Sequence, residues 1–515
     1  MIRQSVNPFT ASFPITRYSS LLLPLLIMLA GAAIQFHALM QDVRFYPDEA
    51  LFSTFARHAA LNGAWLLPGD LDKPPLSIYA SALSMHFVAA TVQNSVLNFD
   101  VRLGEFAARL PAALASILMI PIAYTLAQRL YRQRAVSAWA ACFVAFSSYS
   151  AVYGATAYTD GLMILFAAIS VLLAARGKWL WSGVAMALGF GCKQQALYLT
   201  PLALALGWVM SNRNFTMRQM LAYVVPILVG TGLLFGWDAL RAPSPSLWAL
   251  AAANNNPARL IGLDEFVPRL SLWLGYLRTL VGTPTIVLAF GALFMVGWRV
   301  SRQADERASR IDVILLLYIV GYLAFHWLVA FNIYPRYLLP LILPAGILAA
   351  RTLLWIWAWL RLRLGDSEGI VLAGALLLTL SLGARAASET RASFSEDGNN
   401  YSGIIELADY LNAQTLGAVI YDHWVGWELG YYMGEWSDKR RVYYPTPEAL
   451  VADALMLDDP APRYFVAPTN QVPDSWLDAL SAAEFSVERS YLQQGFAVYQ
   501  LIPPWAAPLE ASPDA

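Results

Sequence analysis

Two adjacent carboxylates, Asp48 and Glu49, follow Phe45-Tyr46-Pro47 just after the first strongly apolar segment, and Asp72-Lys73-Pro74-Pro75-Leu76 comes behind them. Further along, single ionisable residues stand at the ends of apolar segments. They are Asp160 in Tyr158-Thr159-Asp160-Gly161, Lys193 in Gly191-Cys192-Lys193-Gln194-Gln195, and Arg336 in Tyr334-Pro335-Arg336-Tyr337. Charges at membrane depth are costly, so they pair or serve a pathway. A carboxylate can accept the proton of an attacking hydroxyl or amine. Cations can hold a phosphate and stabilise the charge that builds on it as its bond breaks. Gathered on one membrane face, these residues suit displacement of a phosphate leaving group, and glycosyl transfer from a lipid-linked phosphosugar fits. A single base with in-line attack would invert the anomeric centre.

Each residue also has a plainer reading. Asp48 could cap a helix, with Glu49 favourable in its first turn. Asp160 could cap the fourth span. Lys73 could snorkel to the interface, although the prolines beside it stiffen its backbone. Arg336 and Lys193 could anchor helix ends at the headgroups. His37, His58, His86 and His326 read as packed or polar-face residues, and His423 has no carboxylate or histidine at ligand spacing.

The elements that must position these groups are membrane helices. The chain of 515 residues is 58% hydrophobic and 13% charged, where a soluble domain is roughly a quarter charged. That balance predicts a polytopic α-helical membrane protein. A net charge of −1 offers no basic surface for nucleic acid. Cys142 and Cys192 lie far apart in apolar surroundings and read as packed hydrophobes. Eleven spans are predicted: Leu21–Met40, Leu110–Leu130, Ala135–Ser150, Leu162–Ala175, Trp179–Phe190, Ala196–Met210, Leu221–Trp237, Leu280–Val300, Val313–Phe331, Leu338–Leu360 and Ile370–Ala384. Alternate loops carry Arg3/Arg17, Arg129/Arg132/Arg134, Arg176/Lys178, Arg213/Arg218, Arg299/Arg302/Arg307/Arg310 and Arg361/Arg363. By the positive-inside bias these are cytoplasmic, as is the N-terminus, and the first helix is not a cleaved signal.

All six candidate residues then face the opposite side. Loop 41–109 is expected to hold amphipathic interface helices, one with Leu51, Phe52, Phe55 and Ala59 on its apolar face and Ser53, Arg57 and His58 elsewhere, and a second over Leu76 to Ala90. Loop 238–279 is rich in turn formers, including Pro243, Pro245 and Asn254-Asn255-Asn256-Pro257, and suits a lid or acceptor contact. The division is a transmembrane domain over 1–387 and an extracytoplasmic α/β domain over 388–515. In the latter, helices at 403–413, 424–433, 447–456 and 474–482 alternate with strands at Ala418–Tyr421, Arg441–Tyr444, Tyr464–Ala467, 485–491 and 496–502.

Six motifs in order give the first 360 or so residues a resemblance to the GT-C superfamily of integral membrane glycosyltransferases, in the branch of protein O-mannosyltransferases and lipid A aminoarabinose transferases. They are Tyr46-Pro47-Asp48-Glu49, Asp72-Lys73-Pro74-Pro75-Leu76, Arg109-Leu110-Pro111, Thr159-Asp160, Gly191-Cys192-Lys193 and Pro335-Arg336-Tyr337-Leu338-Leu339-Pro340. The resemblance implies that Asp48 is the catalytic base toward the acceptor, supported by Glu49, and that Asp160 orients acceptor or base. It implies that Lys73, Lys193 and Arg336 contact the donor phosphate. The donor it implies is a polyprenyl-phosphate sugar, in bacteria undecaprenyl phosphate, and the acceptor a lipid, glycan or protein at the plasma membrane. The sequence departs from relatives in Thr159-Asp160-Gly161, where many have a proline after the acid, and in Cys192-Lys193-Gln194-Gln195, where Lys-Gly-Pro is common. No cofactor is expected, and a divalent metal finds no ligand cluster beyond Asp48/Glu49. The competing readings are an oligosaccharide ligase or oligosaccharyltransferase using a lipid diphosphate, a secondary transporter, and a non-catalytic assembly protein. The charges cluster at one face, whereas a transporter places them near mid-membrane between broken helices.

Overall fold

In the computed structural model, residues 19–93, 96–211, 215–255, 259–302, 306–361, 366–389, 401–434, 439–457 and 461–506 are described. Arg3, Arg17, Arg213, Arg363 and the Asn256-Pro257 turn lie outside them. The chain forms two compact units. One draws on Met1–Gln41, Leu66–Ser84 and Ala108–Phe394, the other on Asp42–Trp65, Met85–Ala107 and Ser395–Ala515.

The first unit is a helical bundle. Six helical segments among the described residues are long and apolar enough to cross a membrane: Leu22–Leu39, Val101–Tyr131, Met217–Leu240, Glu306–Leu328, Pro335–Leu360 and Gly369–Glu389. The chain is therefore a multi-pass membrane protein. Leu228, Val229, Leu233 and Phe235 on Met217–Leu240 are exposed, a pattern suited to hydrocarbon rather than water. Between helices the packing is close. A Cβ on Gly183 would lie 2.2 Å from the Tyr223 carbonyl oxygen, so a glycine lets Trp179–Cys192 meet Met217–Leu240 backbone to backbone. A buried ion cluster ties four helices: Asp312 accepts from the Tyr131 hydroxyl at 2.7 Å and pairs with Arg351 at 3.3 Å and Arg299 at 3.5 Å.

Several expected spans have different ends. The second begins at Val101, so Arg109-Leu110-Pro111 lies inside the helix rather than at its start. The third divides into Arg134–Ala145 and Ser148–Tyr153, because the Ser147 hydroxyl caps the second piece through the Ser150 amide. Gln194–Leu199 and Pro335–Leu341 are 3-10 turns leading into Thr200–Met210 and Ile342–Arg361. Pro201 and Pro340 lack the N–H that an uninterrupted α-helix would use there. The stretch 238–279 holds two helices, Leu247–Asn255 and Leu263–Leu277. The acids Asp264 and Glu265 in the first turn of the latter, and Glu265 accepting from the Gly262 amide at 2.8 Å, are helix-start signals.

In the second unit, a hairpin of β1 (Ala90–Gln93) and β2 (Val96–Phe99) accompanies a five-stranded sheet. Its strands are β3 (Val419–Asp422), β4 (Arg440–Tyr443), β5 (Arg463–Pro468), β6 (Ser486–Gln493) and β7 (Phe496–Ile502), in spatial order β4-β3-β5-β7-β6. The first three are mutually parallel, and β7 pairs antiparallel with β5 and β6. The helices Ile404–Asn412, Gly426–Met433, Pro447–Met456 and Asp474–Ala482 alternate with the strands. Val419, Tyr421, Phe465, Trp476 and Leu480 are buried in the sheet's core.

Candidate active site

Within the first unit, the helices Asp160–Ala175 and Trp179–Cys192 form a hairpin closed by a short turn in which Gly177 takes φ +72°. A hairpin places the first residue of one helix beside the residue following the other. Those residues are Asp160 and Lys193. The Lys193 ammonium donates to both carboxylate oxygens, at 2.7 and 2.9 Å, and both side chains are buried. Thr159 occupies the cap position and Asp160 the first helical turn, so Asp160 is an ion-pair partner rather than a cap. Lys193 is correspondingly no headgroup anchor: it is 2% exposed.

Arg336 is also buried, in the 3-10 turn Pro335–Leu341, with its guanidinium 4.6 Å from the centre of the Tyr158 ring and 5.2 Å from that of Tyr334. Such stacking suits a planar, weakly hydrated cation. Lys73 pairs with the neighbouring Asp72, whose carboxylate also accepts from the Asn254 amide at 3.4 Å. The Gln194 amide donates to the Asp72 carbonyl at 3.3 Å. Arg336 and Lys73 both lie within electrostatic reach of Lys193. The three cations thus form one cluster with Asp160 and Asp72. Beside it is a cavity of about 380 Å³ lined by Lys73, Gln194, Gln195, Trp248, His326 and Tyr337 among others. The Lys193 ammonium sits 5.6 Å from the centre of the Tyr337 ring. The arrangement can take up an anionic group joined to an apolar body.

Asp48 and Glu49 belong to the second unit. They open the helix Pro47–Asn62, whose cap residue is Tyr46, so the plainer reading of Asp48 as a cap does not hold. Pro47 sits at the first helical position because its missing N–H costs nothing there. Glu49 is fully buried and accepts from the Tyr46 amide at 3.4 Å, while Asp48 is half-buried. Partial positive charge at a helix N-terminus favours both carboxylates. The helix is not amphipathic in the expected sense. Ser53 and Arg57 are buried alongside Phe52 and Phe55. Arg57 donates to the Tyr431 carbonyl and lies 4.6 Å from the centre of the Phe99 ring, so the polar side of the helix is packed rather than wet.

The residues that fix this loop were not singled out in the sequence. Arg44 donates to Glu105 at 2.8 Å, and the Tyr432 hydroxyl bridges Glu105 and the Phe45 amide, the latter at 2.9 Å. Their signal was weak: Arg44 stands one residue before the aromatic run, and Glu105 in Arg102-Leu103-Gly104-Glu105 precedes an apolar segment. Arg241 was missed too. It holds Asp238 at 3.1 Å and the Leu67 and Gly69 carbonyls at 3.0 and 2.7 Å, tying the long loop to the segment ahead of Lys73.

The description "Dolichyl-phosphate-mannose-protein mannosyltransferase" belongs to the family whose model matches residues 72–235. The undecaprenyl phosphate-α-4-amino-4-deoxy-L-arabinose arabinosyl transferase of Pseudomonas aeruginosa (strain UCBPP-PA14) is 27% identical over 358 residues, covering 66% of this chain and 60% of that protein. A protein of the same name from Erwinia tasmaniensis is 25% identical over 329 residues, covering 59% of this chain and 54% of its own. The chain thus spans about 60% or less of the length of these curated relatives. The crystal structure of ArnT from Cupriavidus metallidurans bound to undecaprenyl phosphate superposes with a TM-score of 0.60 at 14% identity, covering 94% of this chain and 98% of that one. The arabinofuranosyltransferase AftD from Mycobacteria gives a TM-score of 0.50 at 14% identity over 94% of this chain and 40% of that one. The chain has the fold of the ArnT structure and, over residues 72–235, resembles the mannosyltransferase family of the GT-C superfamily. The curated relatives it resembles in sequence, over 66% and 59% of its length, are named as aminoarabinose transferases.

Proposed function

We propose that this protein transfers a sugar, with inversion, from an undecaprenyl-phosphate donor to an acceptor at the outer face of the plasma membrane. The observation that carries the reading is the cluster of buried Lys193 and Arg336 with half-buried Lys73 beside a part-apolar cavity. Three cations among aromatic rings suit a phosphate on a lipid chain, because dry surroundings strengthen their attraction for it. In this reading Lys73 and Arg336 hold the donor phosphate, and Lys193 acts with Asp160 as a pair. Asp48 takes the proton from the attacking group, and Glu49 supports the turn that presents it. Eleven spans with a cytoplasmic N-terminus and an extracytoplasmic sheet unit over 388–515 complete the proposal, supported by the arginine bias of alternate loops. The donor lipid is the one in the names of the relatives, and the acceptor is a lipid, glycan or protein.

The test uses purified protein in nanodiscs with a panel of undecaprenyl-phosphate sugars and a lipid A acceptor. Mass spectrometry follows release of undecaprenyl phosphate. Turnover of at least one donor is expected. A folded preparation that releases none from any donor overturns the proposal.

A further inference from the structure

The sheet unit has a feature that the transfer chemistry does not use. From β3 the chain passes to β4 on one side, then returns to β5 on the other. The order therefore reverses between β3 and β5. In open parallel sheets, ligand crevices lie outside the carboxyl ends of the strands at such a switch point. Here the residues leaving β3 are His423 and Trp424, β4 ends on Tyr443, and Trp476 comes from the helix that follows β5. The His423 ring lies nearly parallel to Tyr443, with centroids 5.6 Å apart and planes at 11°. It is 4.8 Å from Trp476 and 5.1 Å from Trp424. Tyr443 is 58% exposed, unusual for a ring in a strand.

His423 Nδ1 is 2.8 Å from the Tyr444 carbonyl. A carbonyl only accepts, so Nδ1 carries the proton and Nε2 is left as an acceptor on a half-buried ring. The turn itself argues against a nucleotide. Where dinucleotide folds put glycines and a phosphate after the strand, this one has Asp422-His423-Trp424. A buried carboxylate at Asp422 would repel a phosphate.

We propose that this crest of aromatic rings around His423 is a carbohydrate-binding site. Tyr443 and Trp424 offer flat faces to the C–H side of a sugar ring, and His423 Nε2 accepts from one of its hydroxyls. That the sugar belongs to the acceptor rests on the transferase reading. Sugar binding itself does not.

The full-length protein in nanodiscs, without donor, is mixed with methyl α-D-mannopyranoside, methyl β-D-glucopyranoside, methyl β-L-arabinopyranoside or chitotriose. Binding is read by saturation-transfer NMR and tryptophan fluorescence. Saturation of ring protons is expected for at least one sugar. Binding should be roughly threefold to tenfold weaker in Tyr443→Ala, the worth of one aromatic contact. The exposure of Tyr443 spares the core, and His423→Gln carries the same test if thermal unfolding shows that Tyr443→Ala is destabilised. No saturation transfer to any of these sugars, binding indifferent to both variants, or quenching by a proline-rich peptide alone overturns the inference. Sugar binding by a protein that turns over no donor would overturn the transferase reading and leave this one standing.

Discussion

Lys193 and Asp160 neutralise each other: the ammonium lies 2.7 and 2.9 Å from the two carboxylate oxygens, and both groups are buried. Removing either partner strands a charge out of water. Asp160→Asn and Lys193→Met should each cost about 3–5 kcal/mol. The double variant should recover part of that loss, because no lone charge remains. A double-mutant cycle from thermal unfolding in detergent measures the coupling, and strict additivity would show that the pair is not coupled.

Asp48 is half-buried in the first turn of its helix and does not cap it. Replacing it with asparagine keeps the shape and removes the proposed base. Turnover should fall by about two to four orders of magnitude while donor affinity is retained. Single-turnover kinetics with a donor-binding titration checks the split. A protein with a purely structural Asp48 would lose stability and keep its rate.

The Arg44–Glu105–Tyr432 network joins three separate stretches of the second unit. Glu105→Ala removes the buried carboxylate to which the buried Arg44 donates at 2.8 Å. A loss of about 3–5 kcal/mol is expected. Hydrogen exchange should report it as faster opening of the helix Pro47–Asn62, and unchanged protection there would contradict it.

Asp422, in the sheet, gives a pH dependence. Burial pushes its carboxyl up to about 6, against amide hydrogen bonds from Val425 and Trp424 that work the other way. The folded value exceeds the unfolded one of about 3.9. Protonation therefore favours the fold: the contribution is complete below the unfolded value and is lost as pH rises through about 6. Asp422→Asn, uncharged throughout, should raise the Tm at pH 8 and have little effect at pH 4. Melting curves at the two pH values decide, and a larger gain at pH 4 would reverse the sign.

The alternation of helix and strand beyond residue 400 was readable to within about two residues, because each strand there is a short β-branched or aromatic run bounded by turn residues. Apolar length marked the six helices long enough to span, but not where Ser147, Pro201 and Pro340 interrupt the apolar segments. The helix Leu263–Leu277 was hidden by its surroundings of Pro and Asn. At the site, residue type revealed Asp160 and Lys193 as costly charges, but not their partnership. That pairing depends on the hairpin turn at Gly177, a fact of three dimensions. Arg57 was assigned to water by periodicity and buried by Tyr431 and Phe99, from stretches distant in sequence.

The hydrogen bond from the Phe45 amide to the Tyr432 hydroxyl spans 387 residues. On a ribosome adding about 5–20 residues per second, the loop that carries Asp48 waits roughly 20–80 seconds for the strands that complete its unit. Until then Glu105 has no Tyr432, and the Arg57 guanidinium has no Tyr431 carbonyl. A chain halted before residue 432 therefore lacks the hydroxyl that joins Phe45 to Glu105. The order of synthesis thus makes this turn one of the last parts of its unit to gain its partners.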